Sequence, residues 1–168
     1  MKDIRKELEK RVLVLDGAMG TMIQKERLTE ADFRGTRFVD FHLDLKGNND
    51  LLSITKPEVI RSIHARFLKA GSDIIETNTF NATSISQADY QMEQWVYEMN
   101  KRSAEIATEV AAEFTAKNPS KPRFVAGAMG PMNKTLSLSP DVNDPGYRAV
   151  SFDEVKKAYR EQLEGLLD

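Results

Sequence analysis

The residues best suited to chemistry sit where short apolar runs turn polar. The run VLVL at 12–15 ends in Asp16 and the tetrapeptide Gly17-Ala18-Met19-Gly20, and the same Gly-Ala-Met-Gly returns at 127–130 after another apolar run. Between the copies, DIIETNTF at 73–80 changes character at Glu76, Thr77 and Asn78. An apolar run that breaks into small residues reads as a buried parallel strand entering a loop whose backbone takes unusual dihedrals or a close approach. In parallel α/β sheets and barrels, ligands bind beyond the carboxyl ends of strands, so the three polar tips point to one small-molecule site. Each feature also has a plainer reading. Asp16 suits the N-cap of a following helix, the Gly-Ala-Met-Gly turns suit packing corners, and Glu76 suits a buried acid paired with a core cation.

Composition narrows the chemistry. The 168 residues are 40% hydrophobic and 30% charged, as in a soluble domain able to bury a core. The net charge is -2 with acids and bases interspersed, which argues against a basic face for nucleic acid. No apolar run approaches the ~18 residues of a membrane span, and the charged start MKDIRKELEKR lacks the apolar stretch of a secretory signal; a cytoplasmic protein is expected. There is no cysteine, so the chain offers neither a disulfide framework nor a thiolate metal site. The two histidines, His42 and His64, carry little metal signal by themselves, and His64 reads as structural.

The elements that must position these tips alternate along the chain. A short helix is expected near 20–24, then a polar stretch to residue 50 without clear periodicity, of a length that is usually functional or carries small elements of its own. Thr55-Lys56-Pro57-Glu58 reads as a capping box opening a helix over 56–70, with Val59, Ile60, Ile63, Phe67 and Leu68 on one face and Gly71 as its stop. A second helix carries Val96, Met99, Ser103, Ile106, Val110 and Phe114 inward, with Glu98 and Arg102 as an exposed pair and Asn118-Pro119 as terminator. Ser151 to Glu154 is another capping box, and Val155, Tyr159, Leu163 and Leu166 mark the inner face of the last helix. Asn143-Asp144-Pro145-Gly146 reads as a turn.

Alternation of this kind predicts an α/β fold with parallel strands and right-handed crossovers. Nucleotide binding is disfavoured, because the first loop lacks the G-x-G-x-x-G spacing and no G-K-[ST] loop occurs. A whole (β/α)8 barrel needs roughly 250 residues. Residues 1–168 therefore read as the N-terminal part of a TIM barrel, its first three or so β/α units.

Seven ordered segments, VLVLDGAMGTMIQ, ADFRG, LKGNNDLL, KPEVIRSIH, GSDIIETNTFNAT, ADYQME and DVNDP, together resemble the homocysteine-binding domain at the N-terminus of cobalamin-dependent methionine synthases, in register over about 11–167. Betaine-type and other zinc-dependent homocysteine methyltransferases share the D-G-x-M-G-T opening and the T-x-T-F element; ADYQME and DVNDP favour the cobalamin enzyme. The resemblance implies methyl transfer from methylcobalamin, regenerated from 5-methyltetrahydrofolate, to homocysteine, giving methionine. It also implies downstream folate and cobalamin domains as partners. In that family a zinc ion held by three cysteines binds the substrate sulfur as thiolate, lowering a thiol pKa of about 8.5. Those cysteines belong to later strands, so this chain by itself is expected to bind neither zinc nor cobalamin and to hold no catalytic residue.

What the resemblance leaves to this chain is the amino-acid-holding half of the site. Asp16 is the candidate for the homocysteine ammonium, and the amides of Gly17, Ala18 and Met19 for its carboxylate. Glu76, Thr77 and Asn78 are expected along the same mouth, with the turn at 127–133 as a further wall. The alternative is a non-catalytic piece that binds an amino acid or associates with itself, since an incomplete sheet leaves strand edges open.

Overall fold

A computed structural model describes residues 3–168. Helix α1 (Ile4–Leu8) is capped by Asp3, which accepts the Arg5 N–H at 3.0 Å. The chain then runs along the edge of a small sheet through residues 12–15 and enters α2 (Met19–Lys25). The polar stretch that follows is ordered by α3 (Glu30–Arg34), opened by a Thr29–Asp32 capping box. Glu30 accepts the amides of Leu45 and Lys46 at 2.9 and 2.7 Å, and the Arg34 guanidinium donates to the carbonyls of Phe41 and Leu43 at 2.5 and 2.9 Å. One helix thus folds residues 35–46 back on itself and drives Leu45 into complete burial. A 3-10 turn (Asn49–Leu51) and α4 (Leu52–Thr55) lead into α5 (Pro57–Ala70).

The expected Thr55–Glu58 capping box does not form. Thr55 ends α4, where its hydroxyl donates to the Leu51 carbonyl, and Lys56 is the N-cap with φ -141° and ψ 54°. Pro57 is the reason: its ring bars the preceding residue from the helical region, so the chain must break between the helices, and proline then starts α5. Gly71, at φ 121°, ends α5 as expected.

Strands β1 (Ile74–Glu76) and β2 (Phe124–Ala126) pair in parallel, with Ile74 opposite Phe124 and Glu76 opposite Ala126. The first expected strand is reduced to a single parallel bridge, Leu15 to Ile74. Residues 12–15 lie at the outer edge, with nothing beyond them among the described residues, leaving Val12, Val14 and Leu15 exposed. They are held by the Asp73 and Ile74 amides on the Val14 carbonyl and by the Asp16 N–H on the Ile74 carbonyl. The spatial order, residues 12–15 then β1 then β2, follows the chain.

The amino ends of these strands meet in a charged knot. Asp73 is buried and accepts the Val14 N–H at 3.0 Å, with Arg11 at 2.9 Å, Lys121 at 3.6 Å and Arg123 at 3.9 Å. Burial alone would raise its pKa, but the Arg11 hydrogen bond, the Val14 amide and the Lys121 charge together hold it below the usual carboxylate range. This end of the sheet is fastened by structural ion pairs.

Helices cover the sheet. Ile75 packs with Leu68 of α5 and with Ala107, Val110 and Ala111 of α7 (Val96–Lys117). A larger cluster of Leu51, Leu52, Ile60, Ile63, Met92 and Met99 fills the space under the 35–51 segment, each side chain contributing about 1.5–3 kcal/mol on full burial. Between β1 and α7 lie the short α6 (Ser84–Gln87), with Thr83 as N-cap, and two 3-10 turns, Ala88–Tyr90 and Glu93–Trp95. The exposed Glu98–Arg102 pair is not made: Glu98 takes both arms of Arg37, at 2.5 and 3.0 Å, and Arg102 pairs with Glu105. Arg37 also lies 4.2 Å over the Trp95 ring, a contact that a neighbour on the same helix cannot match.

The final helix, α8 (Phe152–Leu167), opens with the expected Ser151–Glu154 box. Its buried face differs from the apolar pattern. Ala158, Gln162 and Gly165 are buried, Val155, Tyr159 and Leu166 are half-buried, and Leu163 is exposed. Small residues decide the packing: a Cβ at Gly165 would lie 2.7 Å from the Tyr97 carbonyl oxygen, so glycine is what allows α8 to rest directly on α7.

Candidate functional site

At the carboxyl end of the sheet a cleft of about 260 Å³ is lined by Asp16, Gly17, Met19, Gly20, Asn49, Asp50, Glu76, Thr77, Asn78, Thr79, Phe80, Asn81 and Ala128. The structure brings together six of the seven expected residues there. Ala18 stands apart from the lining, and its contribution is conformational: it adopts the left-handed region, φ 50° and ψ 35°, as N-cap of α2. No side-chain bond caps that helix, so the capping reading of Asp16 does not hold. Instead Asp16 Oδ1 accepts the Glu76 N–H at 3.0 Å, across the sheet. Burial pushes the Asp16 carboxyl up to about 6, against the pull of the Glu76 amide, and the Glu76 charge adds to the rise.

The turn after Asp16 is open. A Cβ on Gly17 would meet nothing within 4 Å, and the amides of Gly17, Ala18 and Met19 donate to no protein acceptor among the described residues. The second Gly-Ala-Met-Gly behaves differently. A Cβ on Gly130 would lie 2.3 Å from the Phe80 carbonyl oxygen, so this copy is a packing corner, and only Ala128 of it reaches the cleft. The two deviations read from the repeat, unusual dihedrals and close approach, are divided between its copies.

Thr77 and Asn78 line the cleft with their polar groups already engaged. The Thr77 hydroxyl accepts the Ala128 N–H at 2.9 Å and shares a 2.6 Å bond with Thr79, whose hydroxyl donates to the Ala128 carbonyl. The Thr-x-Thr element therefore stitches the end of β1 to the turn after β2. Asn78 donates its side-chain amide to the Asn49 carbonyl at 2.7 Å and to Ser53, while its backbone N–H goes to Ser103. These residues shape the site and hold its walls.

One wall was missed in the sequence. Asn49 and Asp50 enter the cleft from the long segment between α3 and α4, fixed by Asn78 and by the buried reciprocal pair Asn48–Gln87, at 2.6 and 3.1 Å. Asp50 is 3% exposed, accepts the Asn81 N–H at 3.0 Å, and burial raises its carboxyl to about 6. The only available hint was a pair of asparagines and an aspartate followed at once by leucines, polar groups that the neighbouring burial would draw into the fold.

The lining holds three carboxyl groups, Asp16, Asp50 and Glu76, and no lysine, arginine or histidine. The reading of Glu76 as one half of a buried ion pair thus finds no partner in the cleft. A site of this sign attracts a cation, and the open turn beside Asp16 offers N–H groups to an anion; an α-amino acid carries both charges. Phe80, exposed and on the lining, adds apolar surface for a side chain.

Among the described residues no group of three or more histidine, cysteine, aspartate or glutamate side chains is placed to hold a metal ion. His42 is bonded to Gln91 at 2.8 Å, and His64 is fully buried in α5; neither lines the cleft. Among the described residues no helix is long and apolar enough to cross a membrane.

The sequence profile of the homocysteine S-methyltransferase family matches residues 13–168. Among solved structures, the chain is similar to the homocysteine methyltransferase MmuM from Escherichia coli. Against the metallated form the TM-score is 0.70 at 24% identity, covering 98% of this chain and 53% of that one. Against the oxidized form it is 0.69 at 24% identity, with 98% and 52% covered. The chain thus spans about half the length of these structures, and at this identity the likeness is one of fold.

Proposed function

The chain belongs to the homocysteine S-methyltransferase family, and we propose that its cleft holds the amino-acid end of homocysteine while the thiol accepts a methyl group to give methionine. The observation that carries this reading is a cleft at the strand tips with three carboxyl groups, no cation, and an unoccupied row of turn amides. Asp16 and Glu76 take the ammonium, and the amides of Gly17, Ala18 and Met19 take the carboxylate. Thr77 and Asn78 fix the floor, and Phe80 covers the methylene chain. In the transfer the substrate sulfur gains the methyl group and gives up its proton; these residues orient the molecule and move no proton themselves.

Zinc, which the family resemblance implies, does not fit the residues present. The chain has no cysteine, and neither histidine stands on the cleft. The thiolate-forming half of the chemistry is therefore assigned to other residues of the protein, and we read this chain as three β/α units of a TIM barrel that supplies the positioning half. A cobalamin-dependent methionine synthase, fed by methyltetrahydrofolate, is the parent we favour, on ADYQME and DVNDP. Neither segment lies on the cleft, so they speak for lineage and leave the homocysteine site common to betaine-type relatives.

Calorimetric titration of the full-length protein with homocysteine tests the reading. Binding that weakens on Asp16→Asn, with metal content unchanged, is the expected result. Unchanged affinity would remove Asp16 from the substrate.

A further inference from the structure

The last backbone bond between the two strands runs from the Thr77 N–H to the Ala126 carbonyl at 3.0 Å. Past it, the strand tips carry the cleft walls at Thr79 and Ala128, and among the described residues no backbone bond joins them. Side chains take over. The Thr77 and Thr79 hydroxyls hold Ala128 from within the tips, and α8 reaches both from outside. The Gln162 side-chain amide donates to the Thr79 carbonyl at 2.8 Å and to the Ala128 carbonyl at 3.4 Å, one residue on each tip. Three positions earlier, on the same helix face, the Tyr159 hydroxyl donates to the Gly130 carbonyl at 2.8 Å.

Packing alone does not account for a glutamine here. Gln162 is completely buried, and its Oε1 has no hydrogen-bond partner among the described residues. A buried polar atom without a partner is costly, so an apolar side chain of the same length would fill the space better. Both groups that the amide nitrogen meets are carbonyl oxygens, which only a donor can engage. The helix that carries it is a firm support, since Gly165, one turn on, lets α8 rest against the Tyr97 backbone of α7.

We propose that Gln162, with Tyr159, is a positioning residue for the cleft, a latch on α8 that sets the spacing of the β1 and β2 tips. Gln162 is not on the lining and acts through Thr79 and Ala128, which are. Walls that touch a ligand hold it well only when the layer behind them is fixed, and here that layer is one face of α8. The effect on substrate rests on the reading of the cleft as an amino-acid site; the effect on the tips does not.

Gln162→Met in the full-length protein keeps the length of the side chain and removes the donor. Hydrogen exchange at the Ala128 N–H, which donates to the Thr77 hydroxyl, should quicken roughly 10-fold, and calorimetry should show homocysteine binding weakened by a similar factor. A fraction of misfolded protein would instead lower the number of binding sites and leave the dissociation constant unchanged. Val150→Ala, which trims a buried side chain just before α8 and touches neither tip, should change neither readout. If Gln162→Met does not fold, Tyr159→Phe, which removes only the second bond of the latch, should weaken homocysteine binding roughly 2- to 10-fold. Unchanged exchange at Ala128, or an equal effect from Val150→Ala, overturns the latch. Asp16→Asn separates the two levels: if it weakens homocysteine binding and Gln162→Met does not, the positioning role fails, whereas if exchange quickens and neither variant moves homocysteine, the amino-acid reading of the cleft fails.

Discussion

Asp16 Oδ1 accepts the backbone N–H of Glu76 at 3.0 Å, and this bond ties the tip of the edge segment to the end of β1. It brings two carboxyl groups from residues sixty positions apart to one cleft and leaves the second oxygen of Asp16 for a ligand. The bond also separates two roles that one substitution would confuse. Asp16→Asn preserves an acceptor for Glu76 and removes the charge, whereas Asp16→Ala removes both. We expect Asp16→Asn to weaken homocysteine binding by about 1.5–3 kcal/mol with little change in stability, and Asp16→Ala to cost about 1 kcal/mol of folding stability in addition. Calorimetry and urea denaturation of the two variants check this.

Binding should depend on pH through the same groups. Asp16 and Asp50 are each raised to about 6, so both exchange protons between pH 5 and 7. The ammonium of a ligand prefers the charged carboxylates, so homocysteine affinity should rise with pH through about 6 and then level. The fold responds with the opposite sign. An acid whose native pKa lies above its unfolded value stabilises the protonated native state, so these two groups withdraw stability as pH rises from about 4 to 6. Titrations between pH 5 and 8 would show the rise in affinity; a flat profile would mean that Asp16 does not meet the ammonium.

His64 sets a limit on the acid side. It is fully buried, neither ring nitrogen has a hydrogen-bond partner among the described residues, and burial lowers its pKa to about 4. The unfolded chain takes up a proton near pH 6.5 and the native chain does not, so stability should fall as pH drops from about 6.5 toward 4. His64→Leu replaces an unpartnered polar ring with an apolar side chain of similar size and should flatten this part of the profile. Thermal melts of both proteins at pH 5 and 7 measure the difference, and an unchanged acid sensitivity would show that His64 is not its source.

Two glycines allow close backbone packing, one behind Phe80 of the cleft lining and one between α8 and α7. At Gly130 an added Cβ would stand 2.3 Å from the Phe80 carbonyl oxygen, and at Gly165 it would stand 2.7 Å from the Tyr97 carbonyl oxygen. Both obstacles are backbone, which cannot rotate away. Gly130→Ala and Gly165→Ala should each destabilise the protein by about 1–3 kcal/mol, the usual cost of overpacking. Gly17→Ala meets no such obstacle and should fold normally, so any loss of homocysteine binding there would come from the ligand's space. Denaturation midpoints and affinities of the three variants separate these effects.

What could be read from the sequence and what could not divide along the range of the interactions involved. Asp16, Glu76, Thr77 and Asn78 announced themselves because an apolar run followed by a polar tip is a local pattern, and the structure places all four on the cleft. The Ser151–Glu154 box and the stop at Gly71 are equally local and formed as read. Asn49 and Asp50 were invisible for the opposite reason. Their segment has no period of its own and is placed by Glu30, Asn78 and Gln87, none nearer than twenty residues to Asp50. The inner face of α8 misled because leucine spacing was weighed above Gly165 and Gln162; the Gln162 side chain reaches the Thr79 carbonyl at 2.8 Å, a contact that no helical pattern encodes.

The edge of the sheet makes the last expectation. Val12 is 86% exposed and Val14 and Leu15 are about half exposed, although a run of this kind in a parallel sheet is ordinarily covered. On the opposite flank β2 has no partner beyond it among the described residues, and α8 leaves Leu163 and Leu167 in solvent. Unpaired strand edges are templates for association, and burial of several such side chains at about 1.5–3 kcal/mol each is enough to drive it. Residues 1–168 expressed alone should therefore self-associate, with the open edge of one copy meeting that of another. Sedimentation velocity across a concentration series reads the assembly, and Val12→Lys with Val14→Lys should shift it toward monomer because charges on an edge oppose pairing. A monomer at every concentration, with backbone amides of residues 12–15 protected from exchange, would show that this edge is already satisfied within one chain.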